Sequence, residues 1–266
     1  MTAASGAALR ALHRAGDPLV LPNAWDVASA LALVDAGFAA IGTTSLGLSA
    51  GAGVPDGVRG VRALTADLAV RLAHLPVPVT VDLEDGFDDD PDQVAALVAG
   101  LPVAGVNLED STGGRLVEPA RHAAKVAAVR ERSPDVVVNA RVDTFWLGER
   151  DTVAETVARA GRYVAAGADV VFVPGDIDGA TIRVLVREIG VPLNVLATPR
   201  HTVRDLAELG VARVSTGSLL YRAALDAAVA AAGALRDGRH PPVVTGYAAV
   251  QERPGRTVGA WPWTSR

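Results

Sequence analysis

Residues 79–90 read VTVDLEDGFDDD, a β-branched run that ends in six carboxylates by Asp90. Like charges a few Å apart repel unless a cation, protons or solvent take up the charge. Alternation along a strand puts Asp82 and Glu84 on one face, with Val81 and Leu83 on the other. The same count pairs Asn107 with Glu109 in VNLED, and aligns Asn139, Arg141 and Asp143 in NARVD. If the first two runs are neighbouring strands, Asp82, Glu84 and Glu109 meet in one small volume. Three carboxylates without cysteine or a nearby histidine make a hard, all-oxygen environment. That suits Mg²⁺ or Mn²⁺, held by one or two carboxylates, water and substrate oxygens. The competing reading is a structural network between these acids and arginines. For three acids converging at a catalytic face, the metal is preferred. Asp85, Asp88, Asp89 and Asp90 read instead as a solvated loop and a helix N-terminal cap.

Other residues can join this site. Arg141 can neutralise the acids, or its fork can hold a substrate carboxylate or oxyanion. Thr43, Thr44 and Ser45 end an earlier apolar run. The stretch after them, LGLSAGAGVPDG, is too glycine-rich and long for a structural connection and reads as a flexible active-site loop. Within it, Asp56 reads by default as the cap of a helix starting near Gly57. Trp25 reads as packing beside the site, Thr198 closes the seventh run, and His74, His122 and His201 read as surface residues.

The elements that must position these side chains follow from periodicity. Apolar β-branched runs recur at 18–22, 39–43, 78–83, 104–109, 136–141, 169–173, 192–196 and 211–215. Between them lie segments of helical spacing at 26–36, 57–74, 91–100, 119–132, 152–166, 179–189 and 202–209, with a last helix near 217–235. Many helices end in glycine (Gly37, Gly100, Gly167, Gly190, Gly210), which a left-handed C-terminal cap prefers. Eight strand–helix units predict a (β/α)8 TIM barrel, whose active site sits at the C-terminal strand ends. An open doubly wound sheet is the alternative, but the Gly-rich fingerprint after its first strand is missing.

Composition bounds the chemistry. The chain has 266 residues, is 50% apolar and carries a net charge of −5, which argues against a nucleic-acid surface. There is no cysteine, which removes disulfides, thiolate sites and a cysteine nucleophile. Lys125 is the only lysine, so a Schiff base would rest on it or on the N-terminal amine. No signal-peptide core and no apolar span of about 18 residues is found, predicting a cytoplasmic protein without membrane segments.

Taken together, LPNAWDVASALALVDAGFAAIGTTS, GVPDG, VDLEDGF, VNLEDS and NARVDTF resemble the isocitrate lyase/phosphoenolpyruvate mutase superfamily, in this order, from about Leu21 to Thr216. The resemblance implies a Mg²⁺-dependent enzyme of 2-oxo acids working through an enolate-like state. It makes Asp82 the metal-binding aspartate, Glu84 its partner and Glu109 the metal-linked glutamate. Arg141 becomes the contact to the substrate carboxylate, Thr44 and Ser45 the loop that holds the 2-oxo acid, and Asp56 a neighbour of the metal–water network. One departure stands out. Lyases of the family carry a K-K-C-G-H-type loop after strand four, and mutases and phosphonopyruvate hydrolases place lysine and asparagine there. Here that place reads STGGRLVEP, without cysteine, lysine or histidine. This speaks against isocitrate or 2-methylisocitrate lysis and against phosphoryl migration.

The expectations are therefore as follows. Residues 1–240 form one barrel with an N-terminal helix, and 241–266 form an extended tail. Tyr247, Trp261 and Trp263 should dock that tail on the barrel or a neighbouring subunit of a homo-oligomer, a dimer or tetramer. The metal ligands are Asp82, Glu84 and Glu109, and the catalytic residues Arg141, Asp56 and Glu109. Substrate-binding residues are Trp25, Thr43, Thr44, Ser45, Asp82, Arg141 and Thr198. The expected reaction is decarboxylation of an oxaloacetate-like acid. Phosphonopyruvate chemistry and a non-catalytic 2-oxo acid-binding protein are the alternatives.

Overall fold

The computed structural model describes residues 5–257, with side chains to Arg253. The sheet strands are β1 (Leu19–Leu21), β2 (Asn23–Ala24), β3 (Ile41–Thr43), β4 (Val79–Asp82) and β5 (Gly105–Glu109). After a small hairpin of β6 (Ser111–Thr112) and β7 (Arg115–Leu116) come β8 (Val137–Arg141), β9 (Val170–Val173), β10 (Leu193–Leu196) and β11 (Arg213–Ser215). Their order is β1-β11-β10-β9-β8-β5-β4-β3-β2, every pairing parallel, so the two ends of the sheet are consecutive in the chain. Pro22 separates them because it has no N–H for the ladder. The expected barrel is present, its first strand broken in two. Asn23 seals the break: its Oδ1 accepts from the N–H groups of Thr216 (3.1 Å) and Gly217 (3.0 Å), and its Nδ2 donates to the Thr43 carbonyl at 2.6 Å.

Helices α1 (Gly6–Ala11), α2 (Val27–Asp35), α3 (Ser45–Gly51), α4 (Arg62–Leu72), α5 (Pro91–Ala99) and α6 (Pro119–Arg132) cover the first half. The second half carries α7 (Thr144–Leu147), α8 (Val153–Ala165), α9 (Gly179–Ile189), α10 (Val203–Glu208), α11 (Leu219–Arg236) and α12 (Tyr247–Thr257). Strand alternation sends Val81, Leu83, Val106, Leu108, Val138 and Ala140 outward into the apolar layer beneath the helices. Leu9 of α1 joins Leu19, Leu21 and Val137 in a separate apolar plug. Inward, the barrel carries polar side chains. Asn139 Nδ2 donates to Asn107 Oδ1 at 2.8 Å, and Arg213 Nε donates to Ser215 Oγ at 2.9 Å.

Several expectations change. The 46–57 stretch is not wholly a loop, because α3 takes its first half and leaves a loop only from Ala52. Helix α4 starts at Arg62 with Val61 at its cap, so Asp56 caps nothing. The tail is not simply extended, since α12 is helical; it packs on α2, with Arg253 Nε 2.7 Å from Asp35 Oδ2. Tyr247 is exposed, while Trp261 and Trp263 lie outside the described residues. His122 is buried, edge-on to Tyr163 with ring centroids 4.4 Å apart, and burial pushes its imidazole down to about 3. Among the described residues no helix is long and apolar enough to cross a membrane.

Candidate active site

The C-terminal strand ends enclose a cavity of about 280 Å³. Thr44, Ser45, Asp56, Asp82, Glu84, Glu109 and Arg141 all line it. Thr43, Trp25 and Thr198 do not. Thr43 lies one layer behind, its Oγ1 accepting the Asp82 N–H at 3.0 Å. Trp25 packs edge-on against Tyr221, with centroids 5.5 Å apart. The hydroxyl of Thr198 accepts from the Arg200 N–H at 3.4 Å.

The acids divide into satisfied and unsatisfied ones. Arg141 is ion-paired to both Glu109 and Asp143 and lies under the rings of Trp146 (5.6 Å) and Phe172 (5.8 Å). Asp143 also accepts from Ser111 Oγ at 2.6 Å. Asp85 is not solvated, as its place in an acidic loop suggested. It is 3% exposed and held by Arg59, Thr112 and Lys125. By contrast Asp56, Asp82 and Glu84 enter no ion pair among the described residues. Asp82 Oδ2 accepts the Ser45 N–H at 3.0 Å and Glu84 Oε2 the Arg59 N–H at 2.9 Å. Their second oxygens, Asp82 Oδ1 and Glu84 Oε1, are buried without a partner.

Burial raises the Asp82 and Glu109 carboxyls above their ordinary range, against the pull of Arg141. Burial pushes Glu84 up to about 7, aided by the charges of Asp56, Asp82 and Asp85 and opposed by the Arg59 N–H. Buried carboxylate oxygens without a partner and with raised proton affinity are suited to accept a cation. The donor set is all oxygen and fits Mg²⁺ or Mn²⁺. No group of three His, Cys, Asp or Glu side chains is arranged as a ready chelate among the described residues. Water and substrate oxygens would complete the shell, as Mg²⁺ ordinarily requires.

The opposite wall comes from elsewhere. The β6–β7 hairpin presents Ser111, Gly113 and Gly114, while Trp146, Phe172 and Pro174 form an apolar face. Asn23 and Arg222 also line the cavity and were missed as site residues. Asn23 had a signal, a polar residue at a strand end just after proline. Arg222, in the first turn of α11, had none, because only the docking of that helix decides which side chain faces inward.

The family model for phosphoenolpyruvate phosphomutase matches residues 9–236. An uncharacterised protein of Mycobacterium tuberculosis is 52% identical over 242 residues, covering 91% of this chain and 94% of its own. The 2-methylisocitrate lyase of Bacillus subtilis is 29% identical over 235 residues, covering 82% of this chain and 77% of the lyase. Among solved structures, phosphonopyruvate hydrolase in complex with oxalate and Mg²⁺ aligns with a TM-score of 0.80 at 26% identity, covering 96% of each chain.

Proposed function

The chain belongs to the phosphoenolpyruvate phosphomutase family, within the isocitrate lyase/PEP mutase superfamily of lyases and mutases, and we propose that it is a Mg²⁺-dependent lyase of a small 2-oxo acid. Its reaction is the decarboxylation of an oxaloacetate-like substrate. The observation that carries this choice is the hairpin wall. Ser111, Gly113 and Gly114 line the cavity there, and no cysteine, histidine, lysine or tyrosine lines it among the described residues. Aldol-type cleavage needs a group free to give and take a proton near neutral pH, and the lining group pushed into that range, Glu84, is the one assigned to the metal. Decarboxylation needs an electron sink.

Asp82, Glu84 and Glu109 would hold the Mg²⁺, directly or through water, with Asp56 beside them. Bound there, the ion supplies the Lewis acidity that polarises a 2-oxo oxygen. Arg141 stays protonated and takes the neighbouring carboxylate or oxo oxygen. Arg222 offers a second cation to the distal carboxylate, and the Thr44–Ser45 backbone borders the 2-oxo acid. Cleavage of the C3–C4 bond releases CO₂ and leaves the electron pair in the 2-oxo group. Water then protonates C3 of the enolate to give pyruvate. The apolar face of Trp146, Phe172 and Pro174 favours the carboxylate leaving as neutral CO₂.

Pyruvate release tests this with oxaloacetate, phosphonopyruvate and 2-methylisocitrate, each with Mg²⁺ and with chelator. Asp82→Ala protein serves as the blank for spontaneous oxaloacetate decay. Turnover of oxaloacetate above that blank, abolished by chelator and negligible with 2-methylisocitrate, is expected. Faster release from phosphonopyruvate would move the reaction to P–C cleavage, and ligand-induced stabilisation without turnover would make this a binding protein. Robust 2-methylisocitrate cleavage would overturn the reading of the hairpin.

A further inference from the structure

Three of the non-glycine residues with left-handed backbone, Arg59, Glu84 and Phe87 (φ 60°, 51° and 60°), meet around one carboxylate, Asp85. L side chains rarely adopt this conformation, and it persists only where the surroundings over-determine it. Here they do. Arg59 Nε lies 3.0 Å from both oxygens of Asp85, and Nη2 also reaches Oδ2. Thr112 Oγ1 donates to Asp85 Oδ2 at 2.6 Å and the Phe87 N–H to Oδ1 at 3.1 Å. Lys125 Nζ donates to the Asp85 carbonyl at 2.8 Å. One buried carboxylate thus ties the loop after α3, which carries Asp56, to the turn after β4, which carries Glu84, and to the β6–β7 hairpin.

The same Arg59 donates its backbone N–H to Glu84 Oε2 at 2.9 Å, and the other oxygen of Glu84 is left unpartnered. We infer that Arg59 and Asp85 form a clasp that orients Glu84 and holds the Asp56 loop over the cavity. Arg59 does not line the cavity, and Asp85 borders it with both carboxylate oxygens bonded to Arg59, Thr112 and the Phe87 N–H, so both act as positioning residues. Arg59 and Lys125 together balance the charges of Asp85 and Asp89, so the clasp adds no net negative charge beside the acids it positions. This rests on the metal reading of Asp82 and Glu84, yet part of its test does not.

Arg59→Gly removes the guanidinium but keeps the N–H to Glu84 and relieves the left-handed backbone. Asp85→Asn keeps the shape and removes the charge, and Arg59→Lys keeps the charge without the fork. Mn²⁺ affinity, from the paramagnetic resonance signal of free Mn²⁺, is measured beside amide exchange of residues 52–61 and 111–116. Arg59→Gly and Asp85→Asn should raise the Mn²⁺ Kd about 10–100-fold, the scale of losing a ligand's outer support, with Arg59→Lys in between. Exchange in both segments should quicken while the melting temperature stays close to wild type, an outcome that general loosening would not give. If Asp85→Asn fails to fold, Arg59→Gly, at a half-buried position, still decides. A Kd within about twofold of wild type in Arg59→Gly, or unchanged exchange, overturns the clasp. Wild-type protein that binds no Mn²⁺ sinks the metal reading instead, and the exchange arm then decides the clasp alone.

Discussion

Glu109 faces the cavity against Arg141, whereas Asp110, one residue on, is fully buried behind it. Asp110 accepts from Arg159 Nη1 at 3.0 Å, from Tyr163 Oη at 2.7 Å and from the Asp143 N–H at 2.8 Å. Adjacent acids therefore have separable roles. Asp110→Ala should cost about 3–5 kcal/mol of stability, because it strips a buried Arg159 of its inner partner; Glu155 still pairs with it, which favours the lower end. Glu109→Gln should cost less than that, because glutamine keeps the side chain's shape and an acceptor oxygen, and Arg141 keeps Asp143 as its second partner. Urea unfolding of the two variants checks this, and equal losses would contradict it. Catalysis should fail in Glu109→Gln.

At the scale of elements, the connection after β5 matters most. Gly113 and Gly114 have a specific task in it. With φ of 58° and 75° they form the tight left-handed turn of the β6–β7 hairpin. A Cβ at either would meet nothing within 4 Å, so the conformation alone demands glycine. Gly114→Val should therefore cost about 1–2 kcal/mol, the penalty of a left-handed L residue, and cost it locally. Faster amide exchange in 111–116 with an unchanged global melting temperature is the expected outcome. A drop in global melting temperature would mean that the hairpin is part of the core. Thr112 bound to Asp85 and Leu116 N–H bound to Glu149 at 3.2 Å fasten both strands of this hairpin to the barrel.

For the whole molecule, α11 is the element that the monomer leaves unexplained. It has 18 residues, of which only Ala234 is buried among the described residues, while Leu225, Val229 and Leu235 are 49%, 74% and 60% exposed. An 18-residue helix with several exposed large apolar side chains and almost no buried face fits an interaction surface. We propose that α11, with the α12 arm beyond it, packs against a second copy of the chain. Light scattering should report a homo-oligomer, and Leu225→Glu with Val229→Glu should reduce it to monomer. Burying each such side chain is worth about 1.5–3 kcal/mol, so two charges at the seam suffice. A monomeric wild type, unchanged on deleting residues 247–266, would refute the assembly.

Alternation and periodicity were enough for the barrel, because each strand and helix carries its own burial pattern in local sequence. They also put Asp82, Glu109 and Arg141 on the inward face, since a strand end has only two faces to offer. What they lacked was everything decided by contacts between distant segments. The oxygens of Asp85 are claimed by Arg59, Thr112 and Lys125 from three other elements, so an acid that looked solvated is buried. His122 sits on a helix whose buried face depends on where Tyr163 of α8 lies. Arg222 lines the cavity and Thr198 does not for the same reason: the course of the chain after β10 and the docking of α11 are tertiary properties. Burial and counter-charge, which decide whether an acid is a ligand, a clasp or a support, arise only when the whole chain is packed.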